Sequence, residues 1–280
     1  MKKTLIPCAA LTLVLLLSAC GSSTLELPDL SGLGEITVIA REEGSGTRSE
    51  FESLLDTLEE GATATALSTE DVVSMVALEE NAIGYVAYSS LDASSGVTAL
   101  AVDGVEPSQD TIADGSYPLC RQYLLAYSGD LSDLETDFIR YIRSAGQAIV
   151  AETCTPVKDV TTFLSDQSSG TILISGSSSV APLMEELAAD YLTYNPNAEI
   201  EIEVTDSTEG LNAAMRGDCD LAMSSRSLKD YEAELLETKV IAADGVAVIV
   251  NSSSPLTELT SEMITAIYDG EITVWSDLNS

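Results

Sequence analysis

Short strand-like segments alternate with longer helix-like segments along most of this 280-residue chain. The segment 36–40 is a run of apolar and β-branched residues, and apolar residues recur at helical spacing in 47–58. The same order returns later, where a strand-like run, 171–174, precedes an amphipathic stretch, 182–194. Such alternation is typical of α/β proteins, so we predict an α/β fold built on mainly parallel strands.

The remaining segments continue this pattern. Further strands are predicted at 82–86, 97–102, 123–127, 199–204, 221–223 and 240–250, the last with a break at Asp244-Gly245. Further helices are predicted at 134–151 and 261–268. The Ser- and Gly-containing stretch 166–170 is predicted to be a linker.

The chain is strongly acidic, with 46 Asp and Glu residues against 12 Lys and Arg residues and no histidine. Nucleic acid is not expected as a partner, because binding to its phosphate backbone requires clustered cations. An anionic ligand would need local donors that outweigh the repulsion from the formal net charge of −34. Without histidine, neither a zinc site nor His-dependent catalysis is expected, so we predict no metal, no cofactor and no enzyme activity.

The N-terminus has the pattern of a bacterial lipoprotein signal. Two lysines precede an apolar run, 5–17, and the sequence Leu-Ser-Ala-Cys then ends at Cys20. We predict a signal peptide at 1–19, lipid attachment to Cys20 and a flexible tether at 20–34. The apolar run is shorter than the roughly 20 residues that a spanning helix needs. The protein is therefore expected outside the cytoplasm, held at the bacterial membrane by its lipid.

Three strand-to-helix junctions share glycine and hydroxyl residues. They are 41–48, 176–180 and 206–210, and a fourth stretch, 224–226, adds two serines and an arginine. Helix N-termini have unpaired N–H groups and a partial positive charge, so three of them facing one point would bind an anion. Each junction alone is weak evidence, because Ser, Thr, Asp and Gly at helix starts are usually ordinary caps. Arg41 carries more weight, because cations are scarce and a guanidinium offers a fork of donors to a tetrahedral anion.

These junctions resemble the signature of the periplasmic phosphate-binding proteins of Pst-type ABC transporters. The resemblance rests on the stretches 41–48, 81–86, 115–119, 176–183, 223–226, 243–251 and 270–277. It implies a two-lobed type II periplasmic-binding-protein fold, in which hinge-connected mixed sheets with flanking helices enclose the anion. The implied lobes are lobe A, at 35–117 plus 252–280, and lobe B, at 118–251.

The order of the two halves differs from that of the family. There the Gly-Ser-Ser-Ser-Val half comes first, whereas in this chain 41–48 precedes 176–180. We predict a circular permutation, in which Trp275-Ser276-Asp277 lies next to 36–38. Chain ends that are close in space make such a rearrangement tolerable.

The resemblance also implies which residues hold the anion. The implied ligands are Arg41, Ser45, Gly46, Thr47, Ser178, Ser179, Ser207, Ser225 and Arg226. Glu43 is expected to orient Arg41. At the position of Ser225, the best-known members carry an Asp that accepts a proton from phosphate. Selectivity in this chain then rests on the serine or on another carboxylate, for which Asp244 and Asp206 are candidates.

The implied function is capture of inorganic phosphate by a monomeric protein and its transfer to the permease subunits of an ABC transporter. Sulfate, molybdate or tungstate as the ligand, and phosphate sensing without transport, remain open alternatives. A secreted phosphatase is disfavoured by the lack of histidine. Cys120 and Cys154 fall in lobe B, where a disulfide between them and buried free thiols are both open.

Overall fold

The computed structural model describes residues 27–92 and 94–279. The predicted signal peptide and the predicted lipidation site, Cys20, therefore lie outside the described residues. Among the residues described, no helix is both long enough and apolar enough to cross a membrane.

The predicted alternation of strands and helices is confirmed. The strands are β1 (Thr37–Arg41), β2 (Ala64–Ala66), β3 (Ala82–Ala87), β4 (Val97–Ala99), β5 (Ala101–Val102), β6 (Cys120–Tyr127), β7 (Thr155–Pro156), β8 (Gly170–Ser177), β9 (Ala198–Thr205), β10 (Leu221–Ser224), β11 (Glu237–Asn251) and β12 (Glu258–Leu259). The α-helices are α1 (Gly46–Leu55), α2 (Thr69–Leu78), α3 (Gln109–Ala113), α4 (Asp133–Ile142), α5 (Gln147–Thr153), α6 (Ala181–Tyr194), α7 (Ser207–Arg216), α8 (Asp230–Ala233) and α9 (Ser261–Tyr268).

One long strand, β11, connects the two halves of a mixed sheet. The strand order is β2-β1-β3-β11-β6-β10-β8-β9, with β4 and β7 also paired to β11. The first part of β11 runs antiparallel to β6, and its second part runs antiparallel to β3. Parallel pairs occur on both sides, where β1 lies beside β2 and β3 and β8 lies beside β9 and β10. The sheet is therefore continuous across the region where the lobes meet.

The hydrophobic core divides into two parts at this crossing. In lobe A, the ring of Phe51 stacks on Tyr85 at 4.1 Å, and Tyr268 packs against both. In lobe B, Phe138 and Tyr191 contact each other at 5.0 Å between ring centroids. Each such aromatic pair is worth about 0.5–1.5 kcal/mol beyond the area it buries. The core thus supports two packed bodies joined by strands.

The crossing strand is unbroken, so the predicted interruption at Asp244-Gly245 is wrong. Asp244 faces Arg121 and Gly245 faces Cys120 in the ladder between β11 and β6. Arg121 donates hydrogen bonds to the buried Asp244 carboxylate, so the aspartate can lie within the sheet instead of in a turn. Val246, Val248 and Val250 pack into the same core as Ile36 and Tyr85, so β11 passes from one core to the other near Gly245.

The single helix predicted at 134–151 is also wrong, because α4 and α5 are separate helices. A Cβ atom on Gly146 would lie 2.9 Å from Leu187 Cδ2 of α6. The backbone at Gly146 approaches α6 too closely for a side chain, and the chain turns there. Helical periodicity alone does not reveal this packing.

The two described ends of the chain pack side by side. The backbone N–H of Ile36 donates to the carbonyl of Thr273 at 2.8 Å, and Trp275 N–H donates to the carbonyl of Gly34 at 3.0 Å. Leu30, one of the described residues of the tether predicted at 20–34, is buried in the core of lobe A. The proximity of the ends is what the predicted circular permutation requires, and the permutation itself stays a prediction.

Among the described residues, Cys120, Cys154 and Cys219 are free thiols, so the disulfide considered between Cys120 and Cys154 is not formed. The Cys120 thiol donates to the carbonyl of Tyr117 at 3.1 Å. Burial raises the pKa of Cys154 to about 12, which keeps this thiol protonated at neutral pH.

Glu59 is a buried carboxyl group beneath the aromatic cluster of lobe A. Its side chain is fully buried, and its backbone is in the left-handed region with φ 55°. Arg48 Nε lies 3.3 Å from Glu59 Oε2, and the same atom donates to Glu52 at 2.8 Å. Burial raises the pKa of Glu59 to about 7, although Arg48 acts in the opposite direction. The fold therefore favours the protonated form.

Replacing Glu59 by glutamine should stabilise the protein at pH 8 and leave its stability nearly unchanged at pH 4.5. In the wild type, the stability tied to the protonated carboxyl is present below the ordinary pKa of 4.5 and is lost as the pH rises through about 7. Glutamine removes this loss, so the full gain at pH 8 is about 3 kcal/mol. Urea denaturation of both proteins at the two pH values measures it, with Glu52→Gln, which removes the other, partly exposed carboxylate partner of Arg48, as control. If the free energies of unfolding of Glu59→Gln and the wild type differ by the same amount at both pH values, Glu59 does not have a raised pKa.

Candidate anion-binding site

Arg41 ends β1 with its guanidinium buried between the lobes. Nε and Nη2 donate to the two carboxylate oxygens of Glu42, both at 2.7 Å. Nη1 donates to Thr69 Oγ1 at 3.1 Å, and Nη2 also reaches Ser178 Oγ of lobe B at 3.2 Å. The predicted partner, Glu43, is exposed in the turn that follows and does not orient the arginine. Glu42 takes this role because its N–H still pairs with the carbonyl of Ala66 in an extension of the strand.

Two backbone donors at the start of α1 lie next to this arginine. Ser45 is the N-cap, and its hydroxyl accepts from the N–H of Arg48 at 3.3 Å. The N–H groups of Gly46 and Thr47 come first in the helix and have no carbonyl four residues earlier within it. The Thr47 hydroxyl lies 3.0 Å from the Ser179 hydroxyl of lobe B. The end of α1 is therefore aimed at the opposite lobe.

Lobe B presents hydroxyl groups at the same place. Ser178 and Ser179 lie between β8 and α6, and Ser207 begins α7. The Ser207 hydroxyl accepts from the N–H of Ser225 at 3.1 Å and lies 3.3 Å from its hydroxyl. Ser177 Oγ donates to Ser225 Oγ at 3.0 Å. These serines form one connected group at the edge of the lobe.

Glycines allow the two lobes to approach closely. A Cβ atom on Gly46 would overlap Ser207 Oγ and would lie 2.6 Å from Ser225 Oγ. At Gly44, a Cβ atom would lie 2.5 Å from Asp206, and the Gly44 carbonyl accepts from the N–H of Thr208 at 3.3 Å. The junctions of both lobes thus meet in direct contact, in a closed arrangement of the lobes.

Arg121 is a second buried arginine at this place, and the sequence reasoning missed it. Nε and Nη2 donate to Asp244 Oδ2 at 3.1 and 2.9 Å. Nη1 donates to Thr47 Oγ1 at 2.7 Å and lies 3.5 Å from the carbonyl of Ser225. Burial disfavours its charge, but interactions with Tyr123 and Asp244 outweigh burial and raise the pKa of Arg121. A scarce cation two residues before a strand-like segment was the available signal.

The comparisons with known proteins identify the family of this chain. The model of the PBP superfamily domain matches residues 28–145 and 161–280. The phosphate-binding protein PstS 2 of Streptococcus pneumoniae TIGR4 is 36% identical over 275 residues, which cover 94% of each chain. This chain belongs to the family of PstS-type phosphate-binding proteins.

Further PstS-type relatives agree with this family. The phosphate-binding protein PstS 2 of Streptococcus agalactiae 2603 V/R is 35% identical over 265 residues, 89% of each chain. The crystal structure of a phosphate ABC transporter, phosphate-binding protein from Streptococcus pneumoniae TIGR4 is 37% identical, with a TM-score of 0.73. The match covers 88% of this chain and all of that one. The two-lobed fold predicted for this chain is thereby confirmed.

Asp244 does not have a free oxygen in this PstS-type chain, contrary to its predicted role as a proton acceptor. Its Oδ2 accepts from Arg121 and from the Tyr123 hydroxyl at 2.7 Å. Its Oδ1 accepts from the N–H of Ser89 at 2.9 Å. Asp206, the other candidate, caps α7 by accepting from the N–H of Glu209 at 2.8 Å. Both carboxylates hold the scaffold in place.

Arg226 also differs from its prediction as a ligand, because Glu232 binds its guanidinium. Nη1 and Nη2 donate to the two carboxylate oxygens at 2.7 and 2.8 Å, and both side chains are buried. Burial opposes ionisation of Glu232, but the hydrogen bonds from Arg226 outweigh it and lower the pKa of the carboxyl. Nη2 also donates to Thr208 Oγ1 at 3.2 Å. Arg226 thus stabilises the loop behind Ser225 and the start of α7.

Each arginine around the PstS-type cleft is paired with its own carboxylate. The three pairs join Arg41 to Glu42, Arg121 to Asp244, and Arg226 to Glu232. The site therefore offers many directed N–H and O–H groups with little net charge. Directed dipoles of this kind can stabilise a buried anion in an acidic protein.

Proposed function

We propose that this protein binds inorganic phosphate between its lobes and delivers it to an ABC transporter. The names of its PstS-type relatives support phosphate as the ligand and an ABC transporter as the recipient. The observation that carries the proposal is the convergence of the α1 N-terminus, Arg41 and the lobe B serines across the lobe boundary. Such a set of donors suits a small tetrahedral oxyanion.

Each group has a defined part in this proposal. Arg41 donates to the anion and also holds the lobes together through Ser178. The N–H groups of Gly46 and Thr47 and the hydroxyls of Ser179 and Ser207 supply further donors. Ser225 can accept the P–OH hydrogen through its hydroxyl oxygen, because a hydroxyl serves as donor or acceptor. Selection against fully deprotonated anions is then weaker than a carboxylate at this position would give.

Delivery requires a difference between the loaded and the empty protein. The contacts between Arg41 and Ser178 and between Thr47 and Ser179 cross the lobe boundary, so a bound anion would stabilise the closed form. The hinge is the crossing of β6 and β11, where Arg121 and Asp244 pair. The permease would recognise the closed form, as in other hinge-bending receptors. The protein is expected to act as a monomer and to catalyse no reaction.

Isothermal titration of the protein with phosphate, sulfate, molybdate and tungstate tests the ligand. We expect phosphate to bind with micromolar or tighter affinity and more tightly than the other three anions. An absence of heat with all four anions would overturn the proposed function. Tighter binding of sulfate would overturn phosphate as the ligand and leave an oxyanion receptor.

Replacing Gly46 by alanine should prevent full closure on the ligand. The added methyl group would overlap the Ser207 hydroxyl, and such overpacking costs about 1–3 kcal/mol, or roughly 5- to 150-fold in phosphate affinity. Titration calorimetry measures the loss, and circular dichroism verifies that the variant is folded. The matched control is Gly32→Ala, since a Cβ atom there meets nothing within 4 Å. Unchanged affinity in Gly46→Ala would exclude a ligand held between these surfaces.

We also infer the lipid anchor and the exchanged halves. The anchor rests on the lipobox ending at Cys20, and release of a Cys20→Ala variant from the cell membrane would test it. The exchange is supported by the adjacent chain ends near Ile36 and Trp275. Because PstS 2 of Streptococcus pneumoniae aligns over 94% of both chains, an exchange of halves would be common to both proteins.

A further inference from the structure

Cations gather at one place in lobe B that is separate from the cleft. Apart from Lys2 and Lys3, the chain has ten Lys and Arg residues among its 280. Four of these ten line a single cavity of about 430 Å³, hereafter the basic pocket. They are Arg140, Arg143, Lys158 and Lys239. None of the residues that line this cavity is acidic, although the chain has 46 Asp and Glu residues.

Two of these cations have no carboxylate partner. Among residues 27–92 and 94–279, no Asp or Glu oxygen lies within ion-pair distance of Arg143 or Lys158. The Nε atom of Arg143 is buried and has no hydrogen-bond acceptor within the described chain. A buried polar group without a partner costs about 1–3 kcal/mol. A ligand that supplied the missing acceptor would remove this cost.

The helix dipole explains only part of this arrangement. Arg140 lies in the last turn of α4 and Arg143 is its C-cap, where cations are favoured for any helix. Lys158 follows β7, and Lys239 belongs to β11, so neither is placed by that helix end. Arg140 is already paired with Asp137, and Lys239 Nζ is 4.0 Å from Glu237 and 5.4 Å from the ring centroid of Tyr127. The charge left for a ligand comes chiefly from Arg143 and Lys158.

We propose that the basic pocket binds a phosphate-bearing group with two or more negative charges. A guanidinium fork beside ammonium groups matches the oxygens of such a group. The volume exceeds that of one phosphate ion, and the side chains of Leu131 and Ile139 add an apolar wall. A diphosphate or the headgroup of an anionic phospholipid has this chemistry.

The basic pocket is distinct from the cleft. Lys239 lies five positions before Asp244 on β11, which corresponds to about 17 Å along the strand. Ligand binding in the pocket therefore does not depend on Arg41 or on the proposed phosphate capture, and either proposal can fail without the other.

The test compares two double variants of the full chain with equal loss of charge. Arg143→Ala with Lys158→Ala removes the unpaired cations, whereas Arg216→Ala with Lys229→Ala removes one arginine and one lysine elsewhere in lobe B. Inorganic pyrophosphate is titrated calorimetrically into each protein, and inorganic phosphate reports separately on the cleft. We expect a pyrophosphate site that weakens at least about tenfold in the pocket variant and not in the control. Phosphate binding should stay unchanged in both.

Sedimentation with vesicles distinguishes the two sources of the phosphate group. Vesicles of phosphatidylglycerol are compared with vesicles of phosphatidylcholine, and attachment through the N-terminus is the same in both variants. If the pocket variant binds less than the control to the anionic vesicles alone, the ligand is a lipid headgroup. If it binds less than the control to pyrophosphate alone, the ligand is a free anion. If the pocket variant and the control behave alike with both probes, the proposal is overturned.

Discussion

Replacing Arg41 by alanine should reduce phosphate affinity more than any other single change in the cleft. The variant loses the donors on Nη1 and Nη2 and leaves the Glu42 carboxylate facing the anion. Truncating one member of a buried, hydrogen-bonded charge pair costs about 2–5 kcal/mol, or roughly 30- to 5,000-fold in Kd. Titration calorimetry with phosphate measures this loss.

The matched control is Arg216→Ala, which removes the same charge from a surface ion pair. Arg216 donates to Glu209 and Asp218, and all three side chains are more than half exposed. Long-range effects of charge would weaken binding in both variants, whereas direct contact weakens it only in Arg41→Ala. Similar affinities for the two variants would rule out Arg41 as a ligand of the anion.

Replacing Asp244 by alanine should cause the largest loss of stability. Asp244 and Arg121 have side-chain exposures of 0%, so the variant would bury an uncompensated guanidinium at the lobe crossing. Breaking a buried ion pair on one side costs about 3–5 kcal/mol. Urea denaturation, followed by circular dichroism, gives the difference in the free energy of unfolding.

A double variant separates the charge from the packing. Arg121→Met with Asp244→Leu removes both charges and keeps apolar volume, which in buried pairs is often neutral or stabilising. We therefore expect the double variant to be more stable than Asp244→Ala. If the double variant is as unstable as Asp244→Ala, an unpaired buried charge is not the cause of the lost stability. The double variant should still lose phosphate affinity, because Thr47 loses its contact with Arg121.

The local part of the site could be predicted from the sequence. The junctions around Ser45, Ser178 and Ser207 were recognisable because glycine and hydroxyl residues follow strand-like runs. Their convergence followed from the family resemblance, which fixes how the strands are ordered. The sequence predicts Glu43 as the partner of Arg41, whereas the structure pairs Arg41 with Glu42. The position at which the strand ends decides this, and a difference of one residue changes which carboxylate lies beside Arg41.

Arg121 could not be predicted in the same way. Its role depends on the ladder register that places it opposite Asp244, which is distant along the chain. Read alone, Asp244-Gly245 indicated a turn, since the pairing that keeps β11 straight comes from the other strand. Gly146 similarly depends on contact with Leu187, which no local pattern contains. Local sequence patterns fail where contacts between residues distant along the chain determine the structure.

A crystal structure of the protein grown with inorganic phosphate tests the central claim most directly. We predict one tetrahedral anion enclosed between the lobes, within hydrogen-bond distance of the Arg41 guanidinium, the Ser178 hydroxyl and the Thr47 N–H. Density for the anion outside the cleft, with these three groups making no contact to it, would contradict the account.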